Sequence, residues 1–135
     1  MSLEIEQRER EGIVIVDLKG RITMGAEAGA LREKVAALTA AGSKYVILNM
    51  AQIDYIDSTG LGALVMCATS QRKAGGMLKL LNLNRRNIEL LVMTKLATVF
   101  DLFTDEQDAV NSFFPDRAIK AFDILSFVEQ MKKEG

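Results

Sequence analysis

The sequence predicts a single α/β domain: a mixed, mostly parallel β-sheet that opens with an N-terminal antiparallel hairpin, with helices packed on it and an extra helix at the C-terminus. Three observations carry this. Strand-like and helix-like segments alternate from residue 13 onward, which favours parallel strands joined by right-handed crossovers. Two apolar runs separated by a short polar turn precede that alternation, as a hairpin requires. The 135 residues, 49% of them hydrophobic, suffice for one core that removes about two-thirds of the unfolded surface from water, and no second domain is needed.

Apolar and charged residues alternate through Leu3, Ile5 and Gln7, a polar turn follows at Glu9 to Gly12, and Ile13 to Leu18 form the second strand. Ala28, Leu31, Val35 and Leu38 recur at helical spacing, and Gly42 stands where that helix, about 26 to 41, would end. Tyr45 to Leu48 has the β-branched and aromatic content of a buried strand. Leu61, Leu64, Val65 and Ala68 trace one face of a second helix that stops near Gly75-Gly76. Met77 to Leu81 reads as a strand, Arg86 to Met93 as a short helix and Thr98 to Phe103 as a last short strand. Thr104-Asp105-Glu106-Gln107 has the form of a capping box, so another helix starts there. After Pro115, Asp116 to Lys133 suggests one more helix, with Ala118, Phe122, Leu125 and Val128 on one face and Ile119 and Phe127 outside it. So broad an apolar surface suits a helix packed on two sides, against the domain and against a second subunit.

Charge and composition exclude several functions. Seventeen basic against eighteen acidic residues give no basic field for nucleic acid or an anionic membrane, so neither partner is expected. A lone cysteine forms no intramolecular disulfide, no apolar run approaches the roughly 20 residues of a membrane span, and the first residues lack a signal-peptide pattern. The expected location is cytoplasmic. The absence of histidine removes Ser-His-Asp and Cys-His relays and most zinc sites, so no catalytic activity, metal or cofactor is expected. Cys67 reads as a packing residue.

The informative run is Asp54-Tyr55-Ile56-Asp57-Ser58-Thr59-Gly60-Leu61-Gly62-Ala63-Leu64-Val65, where strand and loop give way to a helix. A serine in a helix's first turn faces unpaired backbone N–H groups and the positive end of the dipole, which tolerate an attached anion. Gly60 and Gly62 leave its hydroxyl open. The plainer reading makes Ser58 a helix N-cap. Asp57 could orient the hydroxyl, aid partner recognition or cap the helix itself, and Asp54 reads as a solvated loop acid. If Leu61, Leu64, Val65 and Ala68 face the sheet, then Gly62, Ala63, Met66 and Ser70 lie on more open flanks, where Met66 either contacts a partner or fills a gap against a neighbouring helix.

Competing α/β classes fit poorly. Gly60-Leu61-Gly62 lacks the third glycine of a dinucleotide fingerprint, Val65 standing in that position, and no Gly-Lys-Ser/Thr supports a P-loop. A receiver domain needs an aspartate at the central strand end and acids after the first strand, where Asn49 and Leu18-Lys19-Gly20 stand instead.

Over residues 3 to 112 the chain resembles the STAS domain, in particular the bacterial anti-sigma factor antagonists, or anti-anti-sigma factors. The most specific match is Ile53 to Leu64, with Gly75-Gly76 before the next strand in agreement. The resemblance implies that Ser58 is phosphorylated by an anti-sigma factor that is itself a serine kinase, and that a PP2C-type phosphatase reverses the modification. Unphosphorylated, such a protein sequesters the kinase and indirectly activates sigma-dependent transcription. Asp54, Asp57, Thr59, Gly60, Gly62, Ala63 and Met66 then form the switch loop and partner surface. Thr59, where a second serine is commoner, is a candidate second acceptor or a helix cap. Asn49 stands where many relatives carry aspartate, removing a charge near the switch. Residues 113–135 form a C-terminal helical extension without counterpart in the shortest relatives, and a candidate homodimer contact. Other family roles are a scaffold or regulatory subunit of a stress-sensing complex or a lipid-transport system.

Overall fold

The computed structural model describes residues 3–134. The hairpin pairs β1 (Leu3–Arg10) with β2 (Ile13–Ile22) through the two-residue turn Glu11-Gly12. Both turn residues have positive φ, 53° and 83°, the arrangement whose twist matches the flanking strands and which glycine adopts without strain. Then follow α1 (Ala26–Ala40), β3 (Tyr45–Ile56), α2 (Ser58–Lys73), β4 (Met77–Leu81), α3 (Arg85–Met93), β5 (Leu102–Phe103), α4 (Glu106–Asn111) and α5 (Ile124–Glu134). The five strands lie in sequential order, β1 antiparallel to β2 and the remaining pairs parallel. The fold is thus the mixed, mostly parallel sheet that the sequence predicts.

Two apolar clusters divide the sheet. Val14, Val16, Leu18, Val46, Leu48, Leu78 and Leu80 face α1 and α2, whereas Ile13, Ile15, Ile47, Leu81 and Phe103 face α4. Helix α1 buries Ala28, Leu31, Val35 and Leu38, the four residues its periodicity marks, and ends as the Ser43 amide donates to the Leu38 carbonyl at 2.9 Å. The fully buried Gln71 side chain joins α2 to the end of α1, accepting from Thr39 Oγ1 and donating to the Ser43 carbonyl, each at 3.1 Å. Burying an amide without such partners would cost more than the bonds themselves contribute.

Strand β3 runs eight residues beyond the expected Tyr45 to Leu48 segment because it contains two bulges. Its register with β2 passes from Asp17↔Asn49 to Lys19↔Gln52, then from Gly20↔Ile53 to Arg21↔Tyr55. Each step inserts one extra residue in β3. The core positions therefore change spacing from Val46, Leu48 and Met50 to Ile53 and Ile56. A strict two-residue alternation would have ended the strand early.

The C-terminal half differs from expectation in three places. Strand β5 is only Leu102–Phe103, since Val99 bonds back to Leu96 in a turn, although Phe100 still enters the core. Helix α4 is capped by Asp105, which accepts from the Asp108 amide at 3.0 Å, not by Thr104. Helix α5 begins at Ile124, not Asp116. Residues 118–123 instead run along the sheet edge, where the Phe122 amide donates to the Leu102 carbonyl at 3.2 Å, and Asp123 then accepts from the Ser126 amide at 3.1 Å, setting the helix start. The helix's apolar side is also rotated: Leu125 is 73% exposed, while Phe127, Val128 and Met131 are half-buried. Arg85 on α3 holds α5, bonding Glu134 and lying 6.0 Å from the Phe127 ring centroid.

Candidate functional site at the start of the second helix

Ile56, the last residue of β3, is buried, and the next residue turns the chain out of the sheet. Asp57 is extended (φ −91°, ψ −178°) and caps α2: its Oδ1 accepts from the Gly60 amide at 2.7 Å, and its carbonyl accepts from the Leu61 amide at 2.8 Å. Its second oxygen, Oδ2, accepts from the Met24 amide at 2.9 Å. The Gly60 amide first, then that of Met24, hold the carboxyl below the usual aspartate range. Of the three roles open to Asp57, the geometry assigns the cap. Ser58 and Thr59 are consequently the first residues inside the helix, and both are exposed.

The two glycines do different things. A Cβ on Gly60 would lie 1.9 Å from the Ile22 carbonyl oxygen, whereas one on Gly62 would meet nothing within 4 Å. Gly60 is buried and lets the first turn of α2 sit against the end of β2, so it does not open the hydroxyl as the sequence suggests. Gly62 is exposed. Ala63, expected on an open flank, is 3% exposed, because α2 packs on both the sheet and α1 and buries a wider arc than one sheet contact would require. Met66 is exposed and lines a groove with Arg32 and Ala36 of α1, about 12 Å along the helix from Ser58. Asp54 is exposed within β3, not in a loop.

Ser58 lies on a groove of about 300 Å³ whose other lining includes Tyr55, Arg86, Leu90 and Met93. Tyr55 and Met93 (76% exposed) give this groove exposed apolar area beside the charged Asp57, Arg86 and Glu89. The wall is fixed from behind by α3. Asn84 caps α3 through the Asn87 amide at 2.8 Å, and both asparagines donate to the Ile53 carbonyl, at 3.1 and 3.3 Å, within the bulged part of β3. Asn87 is 1% exposed, and its Oδ1 has no hydrogen-bond partner among the described residues.

Sequence reasoning missed Tyr55, Arg86 and Met93 as groove residues and the Met24 amide as a partner of Asp57. Tyr55 stands inside the informative run, but the others reach the site only through the fold. Asn49 needs correction. It lies in mid-strand on the α4 side of the sheet, where its Nδ2 donates to Asp17 Oδ1 at 2.8 Å. It belongs to a charged cluster with Arg8 and Glu106 and is not near Ser58. Cys67 is buried, and burial pushes its thiol up to about 11, as befits a packing residue. Among the described residues no cluster of three metal-ligating side chains occurs, and no helix is long and apolar enough to cross a membrane.

The chain is similar to known proteins over most of its length. The anti-sigma-B factor antagonist of Bacillus subtilis is 33% identical over 110 residues, covering 82% of this chain and 99% of that protein. The anti-sigma F factor antagonist of Paenibacillus polymyxa is 23% identical and covers 82% and 94%. Among solved structures, an anti-sigma factor antagonist from Mycobacterium paratuberculosis superposes with a TM-score of 0.73 at 21% identity, covering 82% of this chain and 93% of that one. The Bacillus cell fate determinant SpoIIAA in its phosphorylated form gives 0.64 at 17% identity, covering 82% and 99%. With the STAS domain profile matching residues 4–109, the chain belongs to the STAS domain family.

Proposed function

We propose that this protein is an anti-sigma factor antagonist, a protein-binding module switched by phosphorylation at Ser58. Unphosphorylated, it holds an anti-sigma factor that is a serine kinase, and sigma-dependent transcription proceeds. Phosphorylated, it lets the kinase go, and a PP2C-type phosphatase resets it. The observation that carries the reading is the position of Ser58: exposed, in the first turn of α2, on a groove that also presents Tyr55 and Met93, beside a carboxylate already committed to capping. The names of the relatives support the partner class, and a phosphorylated SpoIIAA supports the modification.

The physics of release follows from that position. Phosphoserine adds about −1.5 to −2 charges and three strong acceptor oxygens. Within this molecule the charge sits at the N-terminus of α2, in a groove lined by Arg86 as well as by Asp57 and Glu89, and the helix end offsets it. A partner surface shaped around a neutral hydroxyl and the apolar side chains of Tyr55 and Met93 would have to desolvate a dianion. Losing about 3 kcal/mol of binding weakens the complex more than a hundredfold. Gly62 and Met66 extend the same surface along α2, and Thr59 is the adjacent second acceptor. A homodimer through α5 would rest on Leu125, the only large apolar side chain that helix exposes among the described residues.

The test is to incubate the protein with its cognate anti-sigma kinase and ATP and locate the phosphate by mass spectrometry. Phosphate on Ser58, lost in Ser58→Ala, is the expected result. Phosphate elsewhere, or a stable complex with no transfer, overturns the switch.

A further inference from the structure

A second cavity, of about 410 Å³, lies at the opposite end of the sheet from the hairpin, between β5 and the C-terminal arm. Its walls are apolar: Phe100 and Leu102 from the domain, Ile119, Phe122 and Ile124 from the arm and α5. Its polar lining includes Lys79, a residue whose burial needs an explanation. Lys79 occupies the middle of β4, paired with Ile47, and is 4% exposed. Its ammonium lies 4.4 Å from the Phe113 ring centroid and 5.7 Å from that of Phe103, and donates to Ser112 Oγ at 2.8 Å and the Ser112 carbonyl at 3.3 Å.

Hydrogen bonds and aromatic faces meet the ammonium, but no carboxylate among the described residues pairs closely with its charge. The carboxylate nearest to it is Asp101 at 3.9 Å, beyond hydrogen-bond distance and with a side chain 63% exposed. Burial lowers the lysine's affinity for its proton, and Asp101 opposes this only in part. Ile47 and Leu81 on the same sheet face show that an aliphatic side chain suits this layer, so a lysine here costs stability that leucine or methionine would not. A mostly apolar cavity with a few convergent polar groups is the form of a small-molecule site.

We propose that this cavity binds a small organic monoanion, a carboxylate carrying an aliphatic tail. The Lys79 ammonium and Ser112 hydroxyl receive the carboxylate while the exposed Asp101 turns to solvent, and the tail lies between β5 and the arm. Binding is non-covalent. Because domain and arm each supply a wall, an occupant also clamps residues 118–123 against the sheet edge. The inference is independent of Ser58 and of any partner there.

The test uses the full chain, sodium octanoate as the anionic probe and 1-octanol as the neutral one, read by calorimetry and by amide chemical shifts. Octanoate should bind saturably with a Kd of the order of 0.1–1 mM, shift amides of β4, β5 and the arm, and slow hydrogen exchange at the Phe122 amide. Lys79→Met, which keeps the packing, should weaken octanoate about tenfold while leaving octanol unchanged. Ala121→Trp, at an exposed lining position, should block both probes without touching the lysine. Equal affinity of the parent for both probes, undiminished octanoate binding by Lys79→Met, or shifts confined to other surfaces would each overturn the proposal.

Discussion

The Asp57 carboxylate and the Met24 amide, 33 positions apart, are joined by a 2.9 Å hydrogen bond. One side chain therefore caps α2 and also ties down the turn between β2 and α1. Asp57→Ala should lower the melting temperature by several degrees and speed exchange at the Met24 and Gly60 amides more than elsewhere. Asp57→Asn, which keeps an acceptor for the cap, should fall between it and the parent. Amide exchange at Met24 unchanged in Asp57→Ala would contradict the tie.

Gly60 and Gly62, two positions apart on one helix, should respond oppositely to the same change. Gly60→Ala drives a Cβ into the Ile22 carbonyl oxygen and should cost about 3 kcal/mol or more. Gly62→Ala meets open space and should stabilise by about 0.5–1 kcal/mol through helix propensity. Urea denaturation measures both, and if the partner uses this part of α2, Gly62→Ala weakens the complex while strengthening the fold.

Ser58→Asp should separate binding from folding. Its stability should stay within about 1 kcal/mol of the parent, since the helix N-terminus favours the charge, while affinity for the kinase falls more than about a hundredfold. Ser58→Ala should bind constitutively, and any phosphate it still acquires should map to Thr59. A Ser58→Asp protein that binds as tightly as the parent contradicts release by charge, and one that unfolds places the effect in the fold.

Acid stability should report the cluster on the α4 side of the sheet. Hydrogen bonding to Arg8 chiefly, then Arg10, lowers Glu106 from 4.5 to about 2, and Arg8 also lowers Asp17. A depressed carboxyl stabilises the fold above its unfolded value and loses that contribution as pH falls through its folded one. The parent should therefore lose stability between pH 4.5 and about 2. Glu106→Gln should flatten that decline by about 1–2 kcal/mol, allowing for solvent screening of a partly exposed pair. Parallel pH profiles for the two proteins would remove Glu106 from the account.

Much of this was legible in the sequence because periodicity and burial coincide there. Ala28, Leu31, Val35 and Leu38 mark the buried face of α1 without ambiguity, and Asp57-Ser58 stands at a helix start whichever residue caps it. The missed features depend on distant chain segments. Nothing local shows that Gly60 abuts Ile22, that Met93 comes to the Ser58 groove and the Met24 amide to Asp57, or that Asn49 pairs with Asp17 on the far face. The start of the C-terminal helix is not legible because Ala118 to Phe122 fits a helical stripe, yet the Phe122 amide bonds to Leu102 of β5 and Asp123 caps a helix that begins at Ile124.

The bulges in β3 make chain length a determinant of what the molecule displays. Each extra residue re-phases the strand, so that Ile53 and Ile56 turn inward where an unbroken alternation from Met50 would have placed Gln52 and Asp54. The two added residues thus keep a glutamine and an aspartate out of the core and bring the chain to Asp57 with Ile56 buried behind it.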